Sequence, residues 1–415
     1  MSKPSSQPLS PTRPQALSRR SFVAGSGAAL SFTFLQPRLN GAAEAGRKIN
    51  LGLIGCGGRG RWIADLFAKH GGYNLVGVFD YFGDKANAAG DQFKLPAANR
   101  YTGLNGYKKL LEQTGLDAVA IESPPFFHPQ QAADAVAAGK HVYLAKPIAV
   151  DVPGCVSVEE SGKAATARKL AFQVDFQTRA HPAFQEVLKR THAGEIGRLV
   201  TMDVGYHCDL YFEGMDAEYR KSKQDAEARV RAWAIDRVLS GDVITEQNIH
   251  SLDVATWFAN AAPLKAVGTG GRARDFLGDC WDHYAVIFSF PDNLIASFSA
   301  KQVGFGYDDI MCRAYGMSGT VDTHYSGKVT LRTKDDAFSG DCRSMYQEGA
   351  VRNIATFHDR ISQGDFRNPT VGPSVRSNLT TILGRTAAYT GKEITWAEMM
   401  KKAEKWDFPL DQLKA

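Results

Sequence analysis

The pattern of apolar and polar positions divides the chain into two regimes. Residues 49–54 (INLGLI) are nearly all apolar and end in glycines, after which Trp62, Ile63, Leu66 and Phe67 recur at helical spacing. That is a buried strand delivering the chain into a helix. A second apolar run over 75–79 ends at Asp80, and a polar connection covers 93–100. The pattern then predicts a short helix over 107–113, a strand over 117–121 and an alanine-rich helix over 129–138 closed by Gly139. A strand over 140–144 follows, then a helix containing 162–168 and a last or crossover strand over 170–176. Strands alternating with helices at these spacings predict an α/β domain built on a doubly wound parallel sheet.

From about residue 178 the rhythm changes. A helix over 181–192 is closed by Gly194, and a strand covers 198–206. Residues 211–223 are polar and aromatic, as in a loop or short helices near the mouth of a site. A helix carrying Glu246 runs to about Asn260. Strand-like runs over 265–269, 283–290, 294–303 and 310–315 then follow one another without helices, with Pro291-Asp292-Asn293 as a hairpin turn, which predicts antiparallel pairing. Helices over 347–362 and 374–391 complete the pattern.

The first 45 residues belong to neither regime. Ser18-Arg19-Arg20-Ser21-Phe22 is a twin-arginine pattern; a mostly apolar run over 23–35 and the small-residue site Ala43-Glu44-Ala45 follow it. These three parts in this order describe a removable signal read by the twin-arginine (Tat) machinery, which exports folded proteins. The expected location is therefore the periplasm or beyond, and the expected organisation is signal 1–45, the doubly wound α/β domain 46–177 and a second domain 178–415. The signal holds five basic residues against Glu44, so removing it takes the net charge of +5 to about +1. No basic block remains to suggest nucleic acid or a membrane surface, and no later segment is long and apolar enough to span a bilayer. The six cysteines are scattered without C-x-x-C or a metal-ligand spacing to His, so no metal is expected; export would permit disulfides without requiring them.

The glycines after the first strand read Gly55-x-Gly57-x-x-Gly60. Such a loop lets backbone N–H groups and a helix N-terminus approach a pyrophosphate. Asp80, twenty residues on, stands where an acid hydrogen-bonds the ribose hydroxyls, which favours NAD; Lys85 nearby keeps NADP open. Arg59 lies inside the loop, and Ser123 and His128 lie at the carboxyl end of the 117–121 strand, the edge at which open α/β sheets bind ligands. These are cofactor-edge candidates, although His128 and His141 read better as structural, or at most as lining that edge. Lys146 directly follows a parallel strand and should project over the same cleft. Glu246 and His250 stand four apart on one predicted helix face, where the carboxylate would raise the imidazole pKa and fix its tautomer. Such a histidine can take a hydroxyl proton as hydride leaves the same carbon, while the Lys146 ammonium steadies the oxygen. Tyr206, His207, Arg231, Trp233 and Asp253 are further candidates near these elements.

Three blocks (LGLIGCGGRG with Asp80, SPPFFHPQQAADAVAAGKHVYLAKP, and SGDVITEQNIHSLDVATW) together resemble the glucose–fructose oxidoreductase/inositol dehydrogenase/MocA (Gfo/Idh/MocA) family. The resemblance implies a Rossmann domain followed by an α/β domain with a large open, mainly antiparallel sheet, which in this family often forms subunit interfaces. A homodimer or homotetramer is the corresponding expectation. It also implies NAD(P)-dependent oxidation or reduction of sugars and polyols, with Lys146 and His250 at the reacting carbon. The sequence departs from the family's motifs at three positions: Ala145 replaces the glutamate of E-K-P, Glu246 replaces the aspartate of D-x-x-x-H, and Pro125 replaces the Asn common after the third strand. Three readings follow. One is an exported sugar or polyol oxidoreductase holding its cofactor tightly; another is an NAD-dependent glycosidase working by transient C3 oxidation and elimination. The third is a sensor without catalysis, against which the intact Lys146 and His250 argue.

Overall fold

A computed structural model describes residues 47–209, 212–221, 225–275 and 277–415. The expected export signal lies outside the described residues. Six strands build the first sheet: β1 (Ile49–Ile54), β2 (Tyr73–Phe79), β3 (Arg100–Tyr101), β4 (Ala118–Ile121), β5 (His141–Ala145) and β6 (Phe172–Asp175). The pairings among them are parallel, and their order is β3-β2-β1-β4-β5-β6. Strand order reverses at β1/β4, so the chain leaves both strands beside one crevice. β4 is buried along its whole length, because helices cover both faces of a parallel sheet.

The second sheet has nine strands: β7 (Leu199–Cys208), β8 (Lys265–Gly271), β9 (His283–Ser289), β10 (Ile295–Gln302), β11 (Asp309–Gly316), β12 (Gly319–His324), β13 (Lys328–Thr333), β14 (Ala337–Asp341) and β15 (Ile394–Thr395). Their order is β14-β13-β12-β11-β7-β10-β9-β8-β15, antiparallel except for the β7–β10 pair. Burial alternates residue by residue along β9 and β10, so one face packs on helices and the other is open. The Pro291–Asn293 turn joins β9 to β10 as expected.

One of the short helices expected over 211–223 is Glu213–Lys221, with acids in its first turn and Arg220 and Lys221 in its last, an order the helix dipole favours. One local expectation is corrected. The single helix carrying Glu246 and His250 is two helices, Val243–Glu246 and Ile249–Ala259, broken at Gln247 and Asn248. The helix Met345–Gln363 also has an unforeseen position. It crosses back from the second half of the chain to cover the first sheet. Phe357, Ile354 and Ala350 join a core with Leu51, Leu53, Phe67 and Tyr143, and Tyr346 stacks on Trp62 at 4.8 Å.

Among the described residues no helix is long and apolar enough to cross a membrane, no cluster of three His, Cys, Asp or Glu could hold a metal, and all six cysteines are buried free thiols. Because Phe357 is wholly buried against the first sheet, Phe357→Ala should cost about 3–5 kcal/mol in a denaturant titration. A loss below about 1 kcal/mol, the range of a surface substitution, would show that this helix is not part of that core.

Candidate active site

The glycine loop is shaped by close approach. Gly55 has φ +95°, and a Cβ there would lie 2.6 Å from the backbone of Glu122 and Ser123. A Cβ on Gly60 would lie 1.9 Å from the Gly55 carbonyl oxygen. Gly57, the N-cap of the helix Gly58–His70, meets nothing within 4 Å, so its outer side faces open space at a helix N-terminus with no side-chain cap. A cleft of about 440 Å³ starts there, walled by the loop, Asp80, Phe82, Ser123 and Pro124 on one side and Met215, Val230, Arg231 and Trp233 on the other. An open cradle, free helix N–H groups and an acid at its rim suit the residues to an adenine dinucleotide. Asp80 also holds the loop: its carboxylate accepts from the Cys56 amide at 2.8 Å and from the Phe82 amide at 2.9 Å. Burial pushes its pKa up, although both amides and Lys85 oppose the shift.

Lys146, at the end of β5, meets Glu246 from a hundred residues later. Its ammonium donates to the Glu246 backbone oxygen at 2.6 Å and lies 3.4 Å from the carboxylate. Gln247 extends this contact, donating to the other Glu246 oxygen at 2.6 Å and accepting from the Tyr206 hydroxyl at 2.5 Å. Lys146, Glu246 and His250 are 9, 7 and 7 % exposed. Burial lowers the Lys146 pKa, with Arg59 adding to the effect and Glu246 opposing it.

His250 corrects the expected dyad. The break at Gln247–Asn248 turns Glu246 away, and its carboxylate is taken by Lys146 and Gln247. Burial, then the charges of Lys146 and Arg59, drive the imidazole pKa well below its ordinary value rather than up. The ring is neutral at pH 7, packs edge-on to Tyr325 at 5.0 Å, and leaves Nδ1 buried without a partner.

The other candidates separate by location. Arg59 does not offer its guanidinium to a nucleotide. The side chain runs beneath the loop, with Nε 3.0 Å from Glu122, Nη2 2.5 Å from Asp175 and Nη1 donating to the Tyr346 hydroxyl at 3.0 Å. His128 is not a cofactor contact either: its ring nitrogens lie 2.8 Å from the Pro147 oxygen and 2.7 Å from the Ser123 oxygen, and burial pushes its pKa down to about 4. Ser123 lines the cleft and donates to Gln131. Arg231 and Trp233 were expected at the substrate but line the nucleotide cleft, where Arg231 pairs with Asp84 and lies 3.9 Å over the Phe82 ring. Strand alternation turns His207 to the sheet face opposite Tyr206, and Asp253 is buried in a two-pronged contact with Arg179. Sequence reasoning missed Glu122, Asp175, Gln247 and Tyr325. Glu122 alone had a visible signal, as the first polar residue after the apolar β4.

Residues 49–176 match the family described as oxidoreductase family, NAD-binding Rossmann fold, and residues 184–322 match the GFO/IDH/MocA C-terminal domain. Inositol 2-dehydrogenase 2 of Saccharopolyspora erythraea is 24 % identical over 330 residues, 78 % of this chain and 88 % of its own length. The fold is that of aldose-aldose oxidoreductase from Caulobacter crescentus (TM-score 0.67, 18 % identity, 84 % of this chain and 100 % of that one). It is equally that of levoglucosan dehydrogenase, solved with NADH and levoglucosan (TM-score 0.68, 17 % identity, 84 % and 99 %).

His128 titrates at about 4 in the fold, against an ordinary 6.5. The unfolded chain therefore binds a proton in that window that the folded chain does not, and stability falls as pH drops through it. His128→Asn should flatten the loss of denaturation midpoint between pH 6.5 and pH 4. An unchanged slope would contradict the burial of a neutral ring.

Proposed function

The chain belongs to the Gfo/Idh/MocA family of oxidoreductases, and from that premise we propose that it is an NAD-dependent dehydrogenase acting on a secondary hydroxyl of a sugar or polyol. The observation that carries this reading is the meeting of Lys146 with Glu246 beside a neutral His250, in a chain whose glycine loop opens a cleft suited to a dinucleotide. The loop from Gly55 to Gly60 and the following helix N-terminus would hold the pyrophosphate, and Asp80 the adenosine ribose, disfavouring a 2′-phosphate. When bound, NAD supplies the hydride acceptor. An ammonium has three N–H donors; two of those on Lys146 face Glu246, and the third serves the substrate oxygen. His250, in its Nε2–H tautomer, offers Nδ1 as acceptor for the hydroxyl proton. Glu246 is thus the group that positions Lys146, with Gln247 and Tyr206 orienting Glu246 in turn.

The names of the relatives support the substrate class: inositol for the Saccharopolyspora enzyme and levoglucosan for the solved complex. The twin-arginine pattern supports export of a folded, cofactor-loaded enzyme, since free dinucleotide is scarce outside the cytoplasm. Tight retention of the cofactor belongs to the same reading. The open face of the second sheet carries Val267, Ile287 and Ile295, which supports pairing of copies as a dimer or tetramer.

Lys146→Met and His250→Ala should each lower turnover by about 10²–10⁴-fold, the size of a lost proton-transfer or oxyanion contact, with NAD affinity nearly unchanged. NADH absorbance with a panel of inositols, pyranoses and glycosides measures the first, and calorimetric NAD titration the second. Near-normal turnover in both variants would remove these residues from the chemistry. Glycoside cleavage without net NADH would transfer the reading to the elimination mechanism.

A further inference from the structure

Ala145 leaves a gap in the pattern at the end of β5, and the first sheet fills it from the neighbouring strand. β4 and β5 are paired in parallel with Ile121 opposite Leu144, so one step further Glu122 stands opposite Ala145. Side chains at laterally matched positions of parallel strands point to the same face. A small residue on one strand therefore makes room for a long acid on the other. Asp175 of β6 is paired with Ala145 from the other side, so an acid flanks the small residue on each strand; the Glu122 side chain is 1 % exposed and lies 3.0 Å from Arg59 Nε. Neither carboxylate oxygen has an aligned hydrogen bond, although both are buried. Its backbone sits directly beneath Gly55, its Cβ is 3.4 Å from where a Cβ on Gly60 would be, and it lines the dinucleotide cleft.

We propose that Glu122 is the positioning carboxylate of this site, standing in from β4 for the acid missing at 145, holding Arg59 beneath the glycine loop and coupling dinucleotide binding to its own protonation. The inference rests on the cofactor reading above. The charged and titratable groups facing Glu122 are Arg59 from the helix Gly58–His70, Tyr143 and Lys146 from β5 and its end, and Asp175 from β6. Burial first, then Asp175, push its carboxyl up to about 7, against the pull of Arg59 and Lys146. The group thus changes charge in the neutral range. Ionised, it places a negative charge under the loop that receives an anionic diphosphate. Protonated, it leaves the Arg59 charge less compensated and the loop more receptive.

The test is calorimetric titration of the full chain with NAD at pH 6 and pH 8, for wild type and Glu122→Gln, with thermal melting as a control. Wild type should bind about threefold to tenfold more weakly at pH 8, the size of effect one nearby like charge exerts. Glu122→Gln should bind with the same affinity at both values. A relocation pair supplies the second arm. Glu122→Ala should lower the melting temperature, and adding Ala145→Glu should recover a substantial part of the loss. A pH dependence unchanged in Glu122→Gln overturns the inference while leaving the dehydrogenase reading intact, as does a double variant no better than Glu122→Ala. Absence of NAD binding by wild type at either pH would overturn both.

Discussion

The organisation of this molecule depends on two cations, Lys146 buried and Arg59 half-buried, and on the acids gathered around them. A guanidinium or ammonium taken out of water costs several kcal/mol unless carboxylates meet it in good geometry. Arg59 is met by Glu122 from the end of β4 and Asp175 from the end of β6; Lys146 is met by Glu246 from the second half of the chain. Asn353 completes the arrangement by donating to the other Asp175 oxygen at 2.7 Å, and Tyr346 by accepting from Arg59. Each partner arrives on a different element. The glycine loop, three strand ends, the break at Gln247 and the returning helix Met345–Gln363 are therefore fixed relative to one another by one electrostatic requirement.

The same arrangement sets the proton chemistry. Arg59 touches no reacting position, yet its charge depresses the pKa of both Lys146 and His250. Burial acts in the same direction on both. The result is an imidazole kept neutral beside an ammonium whose proton is held less firmly than in water, which is the combination an alcohol oxidation needs. An adjacent carboxylate on the same helix would have acted in the opposite direction, raising the imidazole pKa. The break between the two short helices is thus a chemical feature: it gives Glu246 to Lys146 and leaves His250 in a dry, positive environment.

How far the sequence was legible follows from which interactions are local. The first sheet was readable except for β3, because its other strands are apolar runs bounded by their own turn residues, whereas the two-residue Arg100–Tyr101 adjoins what reads as a polar connection; the Gly55–Gly60 loop and Asp80 are fixed by spacing along one segment. β7 to β11 were readable for the same reason. β12, β13 and β14 were not, because Thr320, Asp322, Thr330 and Arg332 break their apolar runs and the strands are held by pairing with neighbours. The helix Met345–Gln363 was visible as a helix, but nothing in its pattern says that it covers the other sheet. Lys146 and His250 were identified with their elements. Their environment was not, since Arg59, Glu122 and Asp175 are separated by 63 and 53 residues in the chain and meet only through strand order. Arg231 and Trp233 were assigned to the substrate for a related reason: composition identifies residues that bind, whereas only the fold says which ligand end they face.

That last correction bears on how the cofactor is covered. The outer wall of the cleft comes from residues 212–240, beyond the first sheet, and its ties to the first sheet differ in kind from those beneath the loop. Arg231 reaches Asp84 at 3.2 Å, Tyr81 donates to Glu227 at 2.8 Å, and Lys414 bridges Glu227 while its backbone bonds Tyr81 and Leu104. Exposed pairs of this sort contribute only about 0.2–1 kcal/mol each. Phe408 and Leu413 add a small apolar cluster with Ala226, Val230 and Leu239, separate from the two main cores. The floor of the cleft is therefore set by Arg59 and the buried acids Glu122 and Asp175, and its cover by a few small, exposed terms, so the cover is the side of the cleft held by the weaker contacts.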